Sequence, residues 1–258
     1  MPTVHEIAAG LAERTHPEMT PEWDPTGLQL GDPETEVRTL AVCHEVTEEV
    51  VAAVEVSPVE LLVTYHPLLF TPTTRLLAGR SAGARSFRLI RAGVSLLVTH
   101  TDFDAAPGGS ADALAAFFRL QEVRPFGEDA ESGLPAIGRV GEFQGTVGTI
   151  DAMLADRFGP AGLRVGGDRA TEVTSLAVVP GSGSGLIEAA AAAGAQALVT
   201  GDVSHHRTVA AGDLGLAVID PGHTVTERPG MPALVEMVTE VAGLEVTDLT
   251  SIDPRTWD

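Results

Sequence analysis
Apolar and polar positions along this chain come in blocks. Nearly unbroken apolar runs at Thr39–Cys43, Leu61–Thr64, Val94–Thr99, Ser175–Val179, Ala197–Thr200 and Leu216–Ile219 read as strands buried on both faces. Between them the period lengthens to that of a helix. Val4, Ile7, Ala8 and Leu11 recur at helical spacing behind Thr3, which is placed to cap them. The same pattern predicts helices over Thr47–Val56, with Thr47 as cap and Glu48 and Glu49 in the first turn, and over Ala82–Ala92 and Ser110–Leu120. It predicts others over Val147–Phe158, Leu186–Ala193 and Ala233–Val241. Strands alternating with helices indicate an α/β fold built on largely parallel sheets.

Two stretches break this rhythm. Trp23–Gly31 is too rich in turn residues for a regular element, and Val123–Gly145 carries Pro125, Gly127, Glu128, Asp129, Glu131, Gly133 and Pro135. The second reads as a crossover between two α/β domains, one formed by residues 1–122 with 220–258 and the other by 123–219.

The strand ends carry the chemistry. Leu-Val-Thr closes three of the runs, at Leu62–Thr64, Leu97–Thr99 and Leu198–Thr200. Tyr65 and His66 follow the first, His100, Asp102 and Asp104 the second, and Asp202, His205 and His206 the third; the run ending at Ile219 leads into Asp220, His223 and Glu227. Open parallel sheets bind ligands at the carboxyl ends of their strands, so these side chains are expected to line one cleft facing both sheets. Imidazole nitrogen and carboxylate oxygen suit zinc, iron, manganese or nickel. The bland alternative, in which each His ends a strand and bonds to backbone, holds for any one of them more easily than for all. Pro180-Gly181-Ser182-Gly183-Ser184-Gly185 lacks the Lys-Ser/Thr ending of a phosphate-binding loop and reads as a tight strand-to-helix turn.

Charge narrows the partners. Lys and Arg total 16 against 36 Asp and Glu, a net charge of −20, which repels phosphate backbones and anionic lipid and favours cations. Nucleic acid and membrane are therefore not expected partners. The single cysteine, Cys43, allows no intramolecular disulfide. Met1–Gly10 has no basic or apolar leader region, and the apolar stretch Leu186–Val199 is interrupted by Glu188 and Gln196, so a cytoplasmic location is expected.

Five segments occur in an order that carries a resemblance. They are Trp23-Asp24-Pro25-Thr26-Gly27-Leu28, Tyr65-His66-Pro67-Leu68-Leu69-Phe70, His100-Thr101-Asp102-Phe103-Asp104-Ala105-Ala106, Gly201-Asp202-Val203-Ser204-His205-His206 and Gly222-His223-Thr224-Val225-Thr226-Glu227. Together they resemble the Nif-three-like dinuclear-metal family, also catalogued as homologues of GTP cyclohydrolase I type 2. The resemblance spans nearly the whole chain. It implies one metal on His66, Asp104 and Glu227, and a second on His223 and Glu227 with Tyr65 at the remaining position. It also implies a toroidal homohexamer.

Tyr65 departs from the family pattern, which has His there. A phenol ligates only where the metal drives its deprotonation. Three arrangements follow: a weak or absent second metal, Tyr65 as ligand, or His44 in its place. Asp102, Glu45 and Thr224 depart as well, where the family shows Asn, Asp and an aromatic.

The expected activity is that of a metal-dependent hydrolase attacking a small polar substrate with metal-bound hydroxide, using one or two divalent ions per chain. Glu227 bridges, His66, Asp104 and His223 ligate, and His100 or His206 carries protons. A nucleotide such as GTP follows only from the family's catalogue name. The alternative is a non-catalytic metal-binding or regulatory scaffold protein.

Overall fold
The computed structural model describes residues 1–17, 20–128, 133–159 and 162–252. Asp129 and Glu131 of the expected crossover, and the tail Pro254-Arg255-Thr256-Trp257-Asp258, lie outside the described residues.

The chain opens with helix α1 (Val4–Thr15) and strand β1 (Gly27–Leu30), then alternates β2 (Leu40–Cys43), α2 (Glu48–Val56), β3 (Leu61–Thr64), α3 (Ala82–Ala92) and β4 (Ser95–Val98). Two helices follow, α4 (Thr101–Ala105) and α5 (Ser110–Phe117), and then the strands β5 (Gln121–Phe126) and β6 (Gly138–Thr146). Next come α6 (Val147–Phe158), β7 (Arg164–Gly166), β8 (Glu172–Val178), α7 (Ile187–Ala192), β9 (Ala197–Val199), α8 (His205–Asp213) and β10 (Ala217–Asp220). Helices α9 (His223–Glu227) and α10 (Met231–Ala242) and strand β11 (Val246–Asp248) complete it.

Two compact units result. The first comprises Met1–Phe103 with residues 234–252, and the second Asp104–Ala233. Packing thus divides the chain at 103/104 and 233/234, where the sequence pattern placed the boundaries at 122 and 220. The reason is α5, whose Leu114 and Ala115, with Phe118, are buried in one core with Phe143 of β6 and Leu176 of β8.

The first unit is built on a five-stranded sheet of order β1-β4-β3-β2-β11, parallel throughout except at the β1 edge. All four residues in each of β2, β3 and β4 are buried, the unbroken apolar signature of a sheet covered on both faces. The helices begin where local chemistry says they should. The Thr3 hydroxyl accepts the Glu6 amide while the Glu6 carboxylate accepts the Thr3 amide, a reciprocal cap that places Val4, Ile7 and Leu11 on the buried face of α1. Thr47 caps α2 through the Val50 amide, and Ser81 caps α3 through the Ala84 amide.

The second unit has a six-stranded sheet of order β5-β6-β8-β9-β10-β7. Its middle, β8-β9-β10, is parallel, and the flanking pairs are antiparallel. The α/β class with parallel strands interleaved by helices is therefore as the sequence pattern predicts, with antiparallel additions at the edges.

Both irregular stretches contain strands. β1 lies inside Trp23–Gly31, paired antiparallel with β4 through a bulge between Leu28 and Leu30. It forms because the open edge of β4 offers backbone partners, which outweighs the turn-rich composition. The Val123–Gly145 stretch holds the end of β5 and most of β6, paired with each other. Five of the six β5 residues are exposed, so no apolar period marks it, and Pro125 is tolerated because β5 is an edge strand.

Removing the reciprocal cap tests the reading of α1. Thr3→Ala is expected to lower stability by about 1 kcal/mol, measured by urea denaturation.

Candidate functional site
Each unit gathers its chemistry at the carboxyl ends of its parallel strands, and each is described in turn.

In the first unit, Cys43, Thr64 and Val98 lie side by side in the register of β2, β3 and β4. The pairing runs on past the strands: the Tyr65 amide donates to the Cys43 carbonyl at 3.1 Å, the His66 amide to His44 at 2.9 Å and the Thr99 amide to Thr64 at 3.0 Å. His44, Tyr65, His66 and His100 therefore emerge at one level. Their rings meet. Centroids are 4.7 Å apart for His44 and His66, 5.5 Å for the stacked pair His44 and Tyr65, and 5.6 Å for His66 and His100. Tyr65, 1% exposed, is the floor of this group, with His66, His100 and Phe103 against its edges. His44 is buried and His66 and His100 half-buried.

A buried carboxylate holds one of these imidazoles. Asp24 accepts a hydrogen bond at 2.8 Å from His100 Nδ1 and two more from Thr101, at 3.2 Å from its amide and 2.5 Å from its hydroxyl. Burial raises the Asp24 pKa, but the His100 bond and charge, together with the Thr101 donors, outweigh it and hold the carboxyl below its usual value. Asp102 goes the other way: burial raises its pKa above the ordinary carboxylate value despite the bond it accepts from the His100 amide. The segment after Asp24 is fixed as well. At the β1 bulge the Gln29 side chain donates to the Pro25 and Leu69 carbonyls and accepts from the Leu69 amide, tying the Asp24 loop to the segment after His66.

In the second unit, β10 ends at Asp220 and α9 begins at His223. The i, i+4 spacing puts His223 and Glu227 on one helical face, with His223 Nε2 2.9 Å from Glu227 Oε1. His223 Nδ1 lies 2.7 Å from Asp202 Oδ2, and Asp202 follows β9 in the left-handed conformation at φ 56°. Burial alone lowers the His223 pKa; the Glu227 and Asp202 carboxylates overcome this and raise it to about 9. Glu227 is 1% exposed. Asp220 ties the loops together, accepting from the Val203 and Gly222 amides at 2.9 Å each and pairing with Arg164.

The glycine-rich turn serves this pair. A Cβ on Gly181 would lie 2.9 Å from Glu227 Oε1 and 3.3 Å from His223 Nε2, and Gly181 has φ +62°. Its amide donates to Thr226 in α9 at 2.8 Å. Gly201 is tighter still, with a Cβ position 2.5 Å from His223 Cα. Asp104, buried, sits on α4, whose last carbonyl, that of Ala105, accepts from the buried guanidinium of Arg139 at 2.9 Å. His205 and His206 begin α8, both exposed, with ring centroids 5.4 Å apart.

The structure thus brings Tyr65 and His66 together with His100 in one unit, and His223 with Glu227 in the other. Of the carboxylates that orient His100 and His223, Asp24 was given no role on sequence grounds, and Asp202 was placed among the strand-end residues without a partner. Their signal is positional: Asp24 sits within a quoted motif, and Asp202 directly follows a strand. The donor chemistry of His223 and Glu227 fits a divalent ion, because the proton on His223 supplies the positive charge that buried Glu227 requires and a cation supplies the same.

Three measurements check these local arguments. Gly181→Ala is expected to destabilise by about 1–3 kcal/mol, from left-handed strain and contact with Glu227, in urea denaturation. Asp220→Ala should cost about 2–4 kcal/mol by leaving the buried Val203 amide and the half-buried Gly222 amide unpaired, with Asp220→Asn milder. Asp24 has a lowered folded pKa, so its stabilisation is present above the unfolded value of 3.8 and is lost as pH falls through the lower folded value. The stability gap between wild type and Asp24→Asn should therefore narrow as pH falls below about 4.

Known proteins resemble this chain in sequence and fold. The model of the family Duf34/NIF3 (NGG1p interacting factor 3) matches residues 2–254. A Streptomyces coelicolor protein named GTP cyclohydrolase 1 type 2 homolog is 35% identical over 258 residues, covering 96% of this chain and 90% of its own length. A Clostridium perfringens protein of the same name is 29% identical, with 90% of each chain covered. The crystal structure of Staphylococcus aureus hypothetical protein SA1388 shares the fold at a TM-score of 0.89 and 22% identity, covering 100% of this chain and 99% of that one. This chain belongs to the Duf34/NIF3 family.

Proposed function
We propose that this protein is a metal-dependent hydrolase that acts on a small polar substrate, with a nucleotide such as GTP the first candidate. The substrate class is taken from the name carried by its relatives, GTP cyclohydrolase 1 type 2 homolog. The observation that carries the metal reading is the buried Glu227 carboxylate facing His223, a pair whose shared proton a cation can replace.

In this reading His66, Asp104, His223 and Glu227 are the ligands, with one or two divalent ions per chain. His44 joins His66, because its imidazole stands 4.7 Å from that of His66, centroid to centroid. Tyr65 serves better as the packed floor beneath them than as a ligand, since it is buried to 1% exposure and a phenol deprotonates reluctantly. A divalent ion in such a site supplies Lewis acidity toward a substrate oxygen. His100 accepts and returns protons; it has a buried carboxylate partner, whereas His206 is exposed at the start of α8. Asp202 orients His223. The homohexamer belongs to the same reading. Among the described residues no helix is long and apolar enough to cross a membrane.

Metal analysis of protein purified without added metal is expected to find about one or two ions per chain. Glu227→Ala should lose most of that metal while keeping its helical circular dichroism. Incubation with nucleotides and phosphoesters is expected to show turnover that a chelator abolishes and added metal restores. Metal-loaded protein that turns over nothing in such a screen would leave a metal-binding scaffold in place of an enzyme. Light scattering on the eluting protein should give the mass of six chains.

A further inference from the structure
We infer that Asp24 is the positioning residue for His100: it fixes the imidazole as the Nδ1–H tautomer and leaves Nε2 as the atom that takes up and returns a proton. The proton-carrying role rests on the hydrolase reading above; the positioning stands on geometry alone.

The geometry is specific. The Asp24 side chain is 0% exposed and receives three hydrogen bonds, from His100 Nδ1, the Thr101 amide and the Thr101 hydroxyl. A carboxylate with three donors around it is ionised, and an ionised carboxylate only accepts. The proton in the Asp24–His100 contact therefore belongs to Nδ1. A neutral imidazole has one N–H, so Nε2, on the opposite side of the ring, carries a lone pair.

Anchoring a loop does not require this contact. The two bonds to Thr101 already secure Asp24 to the start of α4, and Gln29 secures the same loop to Leu69. The bond to the ring nitrogen adds control of the tautomer. Other contacts hold the ring at the strand ends: the His100 amide donates to Asp102 at 2.6 Å, and the ring lies 5.7 Å from that of Tyr65 and 5.6 Å from that of His66.

The chemistry balances. When water adds to a substrate, one of its O–H bonds breaks, the oxygen forms the new bond, and Nε2 takes the proton. The imidazolium formed faces the Asp24 carboxylate 2.8 Å away. As the bond to the leaving group breaks, Nε2 returns the proton to that group, and His100 ends as it began.

The test reads the ring directly. In ¹⁵N-histidine-labelled full-length protein, titrated upward in pH until the His100 ring is neutral, long-range ¹H–¹⁵N spectra distinguish protonated from bare ring nitrogens. His100 is assigned by its loss in His100→Gln. Wild-type protein is expected to show His100 protonated at Nδ1 and bare at Nε2. In Asp24→Asn the two Thr101 donors hold the amide oxygen, the amide NH₂ then faces Nδ1, and the proton should move to Nε2. Thr101→Val, which removes one bond to Asp24 and none to His100, should leave the wild-type tautomer in place. His100 protonated at Nε2 in the wild type overturns the inference whether or not any variant folds; so does an unchanged tautomer in folded Asp24→Asn. Metal content, measured on the same samples, separates the two readings. Metal retained in Asp24→Asn with a switched tautomer supports positioning distinct from metal binding. Wild-type protein without metal would overturn the proton-carrying role, while the tautomer result would still decide the positioning.

Discussion
Parallel strands that pair in register also end in register, and the chemistry of this protein depends on that constraint. Cys43, Thr64 and Val98 are aligned across β2, β3 and β4, so the next residues of all three strands leave the sheet at one level. Backbone hydrogen bonds continue the alignment through Tyr65, His66 and Thr99. Side chains alternate faces with period two, so a slip of one residue would exchange the places of Tyr65 and His66. Burial of both sheet faces is what forbids the slip, since every residue of the three strands is covered.

The second unit meets the same need with a shorter parallel core. β8, β9 and β10 end close together, and the chain then turns through Gly181, Gly201 and Gly222 before His223 begins α9. A side chain at Gly181 or Gly201 would crowd the pair His223 and Glu227, most sharply at Gly201 against the His223 backbone, while Gly222 has a φ of +99° that favours glycine. Glycine at these positions gives room for an imidazole and a buried carboxylate to stand 2.9 Å apart. Asp220 holds the two turns together by accepting amides from each. The glycines and the acid are thus one device: close approach makes the site, and the buried carboxylate keeps the approach from drifting.

Electrostatics reinforces that reading. A chain of net charge −20 buries Asp24, Asp102, Asp104, Asp220 and Glu227 near its strand ends, where ionised groups are expensive to hold. Donors answer part of that cost. Asp24 is held ionised by His100 and Thr101, and Glu227 draws a proton onto His223, whose pKa rises to about 9. Asp102, with less compensation, has its pKa raised by burial. Positive charge brought to these strand ends relieves a field the fold has already set up.

Much of this was legible in the sequence, and the reason is physical. Strands covered on both faces must be apolar throughout, so β2, β3, β4, β8, β9 and β10 announced themselves, as did α1 and α2 through their caps and period and α3 and α6 through period. Residues placed directly after such strands, His66, His100 and His223 among them, were readable as strand-end chemistry for the same reason. Tertiary structure decided the rest. β1 and β5 exist because neighbouring strands had open edges to satisfy, which no local pattern records. Asp24 reaches His100 across 76 positions of sequence, and Asp202 reaches His223 across 21, because sheet order brings their loops together. Residue type and strand position are local properties; which carboxylate orients which imidazole is a property of packing alone.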